Sequence, residues 1–158
     1  MLRLTVGRRI ARTNDCMRWT KKMLSKKDKS YFRAAKAVSE LSDFKRVNVG
    51  CALVYQHRII SSSCNSQRTH PLQQKLNKER FEEETPAKLH AEVNCLLPLL
   101  RNRDIKWRDC ELYIYREYRR GGLAMSRPCK SCMKLIKDLG IKTIHYTTEN
   151  GYAEEEVV

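Results

Sequence analysis

His90-Ala91-Glu92, followed downstream by Pro128-Cys129-Lys130-Ser131-Cys132, is the pair of stretches on which the reading of this chain turns. One imidazole and two thiolates suit a tetrahedral zinc ion whose fourth position stays open to water. Glu92 lies two residues from His90, and side chains two apart point away from each other in a regular helix. Glu92 is therefore the ligand-free carboxylate of the set, able to move protons beside the metal. Cys129 and Cys132 are three apart and share one helix face. Pro128 opens that helix, and the positive end of a helix stabilises thiolates. Each fragment alone has a plainer reading. A His-x-Glu is weak evidence, and a Cys-x-x-Cys also serves redox chemistry or half of a structural zinc site. Five further Cys are present that could complete a structural site. Order, spacing, the Ala of His-Ala-Glu and the preceding Pro together favour a catalytic zinc.

Around these motifs the chain reads as one α/β unit. A helix is expected through about Asp43, capped by Asp28 or Ser30, with Tyr31, Ala34, Ala35, Val38 and Leu41 at helical spacing. Val49 to Tyr55 reads as a buried strand, Gln56-His57 as a turn, and Arg58 to Ser63 as the returning strand. Residues 65–84 form a polar connection, partly helical. Thr85-Pro86 is the expected start of the helix carrying His90 and Glu92, with Thr as N-cap and Pro at the first helical position. Pro98 ends it. Glu111 to Arg116 is a third strand and residues 117–127 a loop. The helix from Pro128 stops at Gly140, and Ile141 to Tyr146 is a fourth strand, expected parallel to the third. The acidic tail after Tyr152 is expected as a short helix or a frayed end. Helices alternating with strands in this way give a layered α/β structure with a mixed sheet.

Length and charge narrow the classes. The 158 residues, 41% hydrophobic, suit one folded domain. No apolar run reaches the roughly 20 residues that cross a bilayer. Seven Cys, an odd number without export signals, point to a reducing compartment and metal binding, with the cytoplasm as the expected location. The net charge is +14, and residues 1–48 hold 14 Lys and Arg against four Asp and Glu. The division expected is a basic N-terminal arm over 1–28 and the catalytic domain over 29–158. Such a surface attracts phosphates irrespective of sequence, or is a solvated face.

The H-x-E…P-C-x-x-C pattern resembles the zinc-dependent cytidine and deoxycytidylate deaminase superfamily. The likeness runs over about residues 29–150 and is strongest to small phage-like deoxycytidylate deaminases. Val49-Gly50-Cys51-Ala52-Leu53-Val54 looks like that family's first strand, and Ile59 to Asn65 its second. Gly140-Ile141-Lys142-Thr143-Ile144-His145-Tyr146 looks like the strand after its Cys helix. The resemblance implies a three-layer α/β/α fold around a mixed sheet. It implies one Zn2+ held by His90, Cys129 and Cys132, with Glu92 as catalytic proton carrier. It also implies a sugar contact at Asn65, and base contacts from the Ala91 N–H and the Arg127 carbonyl. The Arg127 side chain departs from the small or acidic residue often found there. The implied reaction is hydrolytic loss of ammonia from cytosine, on a nucleotide such as dCMP. Single-stranded DNA or RNA is the alternative substrate, drawn from the charge, the Gly121-Gly122 loop and Tyr113, Tyr115 and Tyr118 beside arginines. An adenosine-directed tRNA deaminase is a further version, and a non-catalytic zinc-stabilised nucleic-acid-binding module the alternative of another class. Relatives are often oligomeric, which adds a second copy of the chain to the candidate partners. Arg68 stands near Asn65 as a candidate phosphate contact, with a plain surface role as its other reading.

Overall fold

The computed structural model describes residues 19–44, 46–80 and 87–157. Residues 1–18 of the basic arm thus lie outside the described residues. Twelve elements follow in order: β1 (Trp19–Lys21), α1 (Lys26–Ser39), β2 (Val49–Tyr55), β3 (Arg58–Cys64), β4 (Ser66–Thr69), α2 (Pro71–Glu79), β5 (Lys88–Leu89), α3 (Ala91–Leu96), β6 (Cys110–Arg116), α4 (Lys130–Leu139), β7 (Thr143–Thr148) and β8 (Gly151–Glu156). The six-stranded sheet runs β1-β8-β7-β6-β2-β3, and β4-β5 form a small separate ribbon. Among the described residues only β6 and β7 pair in parallel; the other neighbours are antiparallel. That one parallel step follows from the crossover through α4, as expected of a strand–helix–strand connection.

Side chains of a strand alternate between faces, and here the alternation separates two cores. Ala52, Val54, Tyr113 and Tyr115 face α1 through Tyr31, Phe32 and Ala35. Cys51, Leu53, Leu112 and Ile114 face the opposite way, onto α2, α3 and α4. The result is the expected α/β/α layering. Helix α1 lies so close to β2 that a Cβ on Gly50 would stand 1.8 Å from the Ala35 carbonyl oxygen. The β2–β3 hairpin closes on Gln56 and His57, both left-handed at φ 49° and 63°, the backbone of a two-residue turn that matches strand twist.

Three expectations need correction. Helix α1 begins earlier than Asp28 or Ser30 suggest: Ser25 is its N-cap, and Asp28 closes a capping box from the third position. The acidic end is neither helix nor frayed but β8, because alternation buries Ala153 and Glu155 on one face while Tyr152 and Glu154, half-buried, meet Phe32 and Lys22 on the other. Glu155 tolerates burial because Arg127 grips it through two hydrogen bonds of 2.7 and 2.8 Å. The helix expected from Thr85-Pro86 starts only at Ala91. Thr85 and Pro86 lie outside the described residues, and Lys88–Leu89 pair with β4 instead. No helix among the described residues is long and apolar enough to cross a membrane.

Candidate zinc centre and its cavity

Two helix starts build the centre. His90 is the N-cap of α3, and Cys129 is the N-cap of α4. An N-cap residue has extended backbone, so its side chain leaves the helix axis and reaches across to its neighbour. Gln73, fully buried on α2, accepts the His90 N–H at 3.1 Å and fixes the approach to α3. Asn94 anchors the next turn by donating to the Cys64 carbonyl at 2.8 Å. The loop before α4 is fixed from the sheet: Ser126 Oγ donates to the Ile114 carbonyl at 2.9 Å and accepts the Thr147 N–H at 3.0 Å.

His90 Nδ1 stands 3.4 Å from both Cys129 Sγ and Cys132 Sγ, and the three ligand atoms lie within 4.8 Å of one another. Zinc bonds of about 2.1 Å to nitrogen and 2.3 Å to sulfur at a tetrahedral angle put N and S about 3.6 Å apart. The cluster fits one zinc ion without rearrangement. The Cys132 backbone N–H donates to Cys129 Sγ at 3.5 Å. The Cys132 thiol, His90 and this N–H hold the Cys129 thiol down to about 4 against the effect of burial. Cys132 is pushed well up, first by the Cys129 thiolate and then by burial. A metal cation reverses this opposition by taking both as thiolates. Burial also raises the Glu92 carboxyl, with Cys129 adding to the effect and His90 opposing it.

A cavity of about 260 Å³ opens over the cluster, near the roughly 300 Å³ at which small-molecule pockets begin. His90, Ala91, Glu92 and Cys129 form its metal end, and Asn65 and Arg127 also line it. The expected zinc ligands His90 and Cys129, with Glu92, Asn65, Ala91 and Arg127, are therefore at one site, with Cys132 buried just behind its wall. Asn65 arrives with its amide engaged: Oδ1 accepts from Ser42 Oγ and the Val49 N–H, and Nδ2 donates to the Val47 carbonyl. Arg68 is not among the lining residues. Phe44, Val47, Lys88, Arg116 and Met125 are, and the sequence gives no periodic or motif signal for them. Phe44 and Val47 sit in an irregular basic stretch, and Arg116 and Met125 flank the Gly121-Gly122 loop.

A sheet covered on both faces, with a His–Cys–Cys cluster and a buried carboxyl at two helix starts, defines a zinc-centred deaminase fold. The chain belongs to the cytidine and deoxycytidylate deaminase family, whose zinc-binding region matches residues 25–148. No curated protein matches the chain as a relative. Among solved structures it is similar to the apo dCMP deaminase of the cyanophage S-TIM5, at 24% identity and TM-score 0.55 over 78% of this chain and 84% of that one. The cytidine deaminase of Burkholderia pseudomallei is similar at 18% identity and TM-score 0.57, over 82% and 91%. The phage enzyme in complex with dCMP and dUMP matches at 22% identity and TM-score 0.55, over 79% and 83%. These likenesses show a shared fold.

Proposed function

We propose that this protein deaminates the cytosine of a free nucleotide such as dCMP, using one zinc ion on His90, Cys129 and Cys132. The observation that carries the reading is the position of Glu92. It is buried, free of the ligand set, and lines the same cavity wall as His90 and Cys129. When bound, zinc supplies Lewis acidity that lowers the pKa of a water to about 7. Glu92 would take one proton from that water and pass it to the ring nitrogen, then take the second from the added hydroxyl and pass it to the departing amine, which leaves as ammonia. Burial raises its carboxyl above the usual carboxylate range, which strengthens it as a proton acceptor. Water adds at the amine-bearing carbon, the C–N bond breaks, and ammonia leaves with the uracil product retained. The Ala91 N–H and the Arg127 carbonyl face the base, and Asn65 stands on the cavity wall on the sugar side. The phage relative's complex with dCMP and dUMP supports a nucleotide as substrate and product.

A second reading, cytosine within a single strand, draws on Tyr118. Its ring is exposed and Arg116 lies 6.0 Å from its centroid, next to the cavity. Exposed Arg119 and Arg120 follow it, and aromatic rings among cations are what single strands stack on. The test is ammonia and uracil formation by zinc-loaded protein on dCMP, CMP, cytidine, single-stranded DNA and single-stranded RNA. Turnover of dCMP supports the nucleotide reading, and turnover of a polynucleotide alone replaces it with the second.

A further inference from the structure

We propose that Lys88 and Arg116 take the 5′-phosphate of the substrate, so that the cavity selects a nucleotide carrying a phosphomonoester over the bare nucleoside. The inference rests on the deaminase reading. Among the described residues, Lys88, Arg116 and Arg127 are the cations of the cavity lining and Glu92 its carboxylate. Glu92 belongs to the metal end, and Arg127 is taken up by Glu155 through two hydrogen bonds of 2.7 and 2.8 Å. Lys88 and Arg116 have no carboxylate partner among the described residues. Each instead donates one side-chain hydrogen bond to a neutral carbonyl: Lys88 Nζ to Gln67 at 3.1 Å and the Arg116 guanidinium to Met125 at 3.3 Å. An ammonium has three N–H donors and a guanidinium five, so most of them remain for a ligand. Both residues are half-buried, and cations gathered at a cleft raise the local concentration of anions. Arg116 is also held ready. It ends β6, where its N–H donates to Thr147 Oγ1 at 3.1 Å and its carbonyl accepts the Ala124 N–H at 3.0 Å. Its guanidinium lies 6.0 Å from the centroid of the Tyr118 ring. A cation so held loses little freedom on binding. Lys88 comes from the separate β4–β5 ribbon, where it pairs with Thr69. A phosphomonoester carries a charge of about −1.5 to −2 near pH 7, which two cations match. A nucleoside offers these cations nothing, and each diester along a strand carries a single charge.

The test measures the preference for the phosphate in the zinc-loaded full chain. One readout is kcat/KM for dCMP against deoxycytidine. The other is calorimetric binding of dUMP against deoxyuridine, which needs no turnover. The variants are Lys88→Gln, Arg116→Gln and Arg116→Lys. Arg108→Gln, which removes an exposed cation away from the cavity lining, is the control for net charge. Lys88→Gln and Arg116→Gln are each expected to lower both preferences at least about tenfold, as loss of a hydrogen bond to a charged group does. Arg116→Lys keeps the charge and loses less than Arg116→Gln, and Arg108→Gln keeps the wild-type preference. Added salt weakens dUMP binding more in the wild type than in either Gln variant at the cavity. Equal handling of the phosphorylated and bare forms by the wild-type protein overturns the proposal. So does a fall on both substrates together that leaves the preference unmoved, which is the mark of a structural defect. An effect of Arg108→Gln as large as those at the cavity overturns it too. Turnover of single-stranded DNA or RNA without a preference among the monomers overturns it in favour of a strand. If the phosphate preference stands in binding but no substrate releases ammonia, the deaminase reading falls and the phosphate site remains.

Discussion

The two faces of the central sheet bury ionisable groups in opposite ways. On the α1 face, Lys22 Nζ reaches Glu154 at 2.6 Å, His145 Nδ1 at 3.1 Å and Asp28 at 3.2 Å. His145, only 1% exposed, meets Glu111 through Nε2 at 2.6 Å and stacks on Tyr113 at 4.2 Å. The Tyr113 hydroxyl donates to Asp28 at 2.8 Å. A lysine ammonium donates only, so His145 Nδ1 is the acceptor and its proton sits on Nε2, facing Glu111. Each group there has a partner of opposite character. On the α3/α4 face Arg127 and Glu155 pair in the same way, but at the cavity groups of one kind press on each other: the Cys129 thiolate pushes Cys132 upward and adds to the effect of burial on Glu92. A closed network of opposites holds strands together, whereas converging anions call for a cation from outside. The first face is built for cohesion and the second for a ligand.

The comparison breaks most sharply at Glu92. Glu92→Gln is expected to retain zinc and fold while turnover falls about 1,000-fold; unchanged turnover beside normal metal content removes Glu92 from the mechanism. Cys129→Ala comes next. It should lose zinc by elemental analysis and lower Tm by several degrees, since metal binding is coupled to folding. A full zinc complement in that variant would mean the cluster is not the site. On the α1 face the largest effect is steric. Gly50→Ala forces a Cβ into the Ala35 carbonyl oxygen and should cost about 3 kcal/mol in urea unfolding, with zinc retained in the fraction that folds.

Asp28 gives the smallest effect and the one with a pH signature. Burial acts to raise its carboxyl, yet the bonds from Ser25, Tyr113 and Lys22 prevail and hold it at about 2. A depressed folded pKa contributes stability above the unfolded value and loses it as pH falls through the folded value. Asp28→Asn should therefore cost about 2 kcal/mol at pH 7. The gap to wild type should close between about pH 4 and pH 2. A gap independent of pH would show that the ionised carboxyl contributes nothing to the α1 face.

How much of this was legible in the sequence follows from where each partner lies along the chain. His90, Glu92, Cys129 and Cys132 were readable because metal chemistry constrains residue type and spacing locally. The β2–β3 hairpin and α4 were readable because alternation, a two-residue turn and Gly140 are local signals. Strand β8 was not, because Gly151-Tyr152-Ala153-Glu154-Glu155-Glu156 looks solvent-facing until Arg127 and Lys22 neutralise it from afar. The start of α3 was misread because Pro86 is a good first helical residue in isolation. The β4–β5 pairing and the Gln73 bond to the His90 N–H, both non-local, set the start at Ala91 instead. Phe44 and Val47 were invisible as site residues for the same reason: the partner of the Val47 carbonyl, Asn65, lies 18 residues along the chain.

The sheet order carries a consequence for synthesis. Strand β1 has a single neighbour, β8, the last of the described strands to be made. While the chain emerges from a ribosome, β2 and β3 can pair at once, but β1 must wait for residues 151–156. Lys22 waits with it, since Glu154 arrives at the same moment and His145 only shortly before. A chain stalled before Gly151 would carry both cysteine ligands and all of α4 yet have an unpaired β7 edge and a Lys22 that lacks Glu154. Quality control would find that unfinished edge at a stage when the metal ligands are already complete.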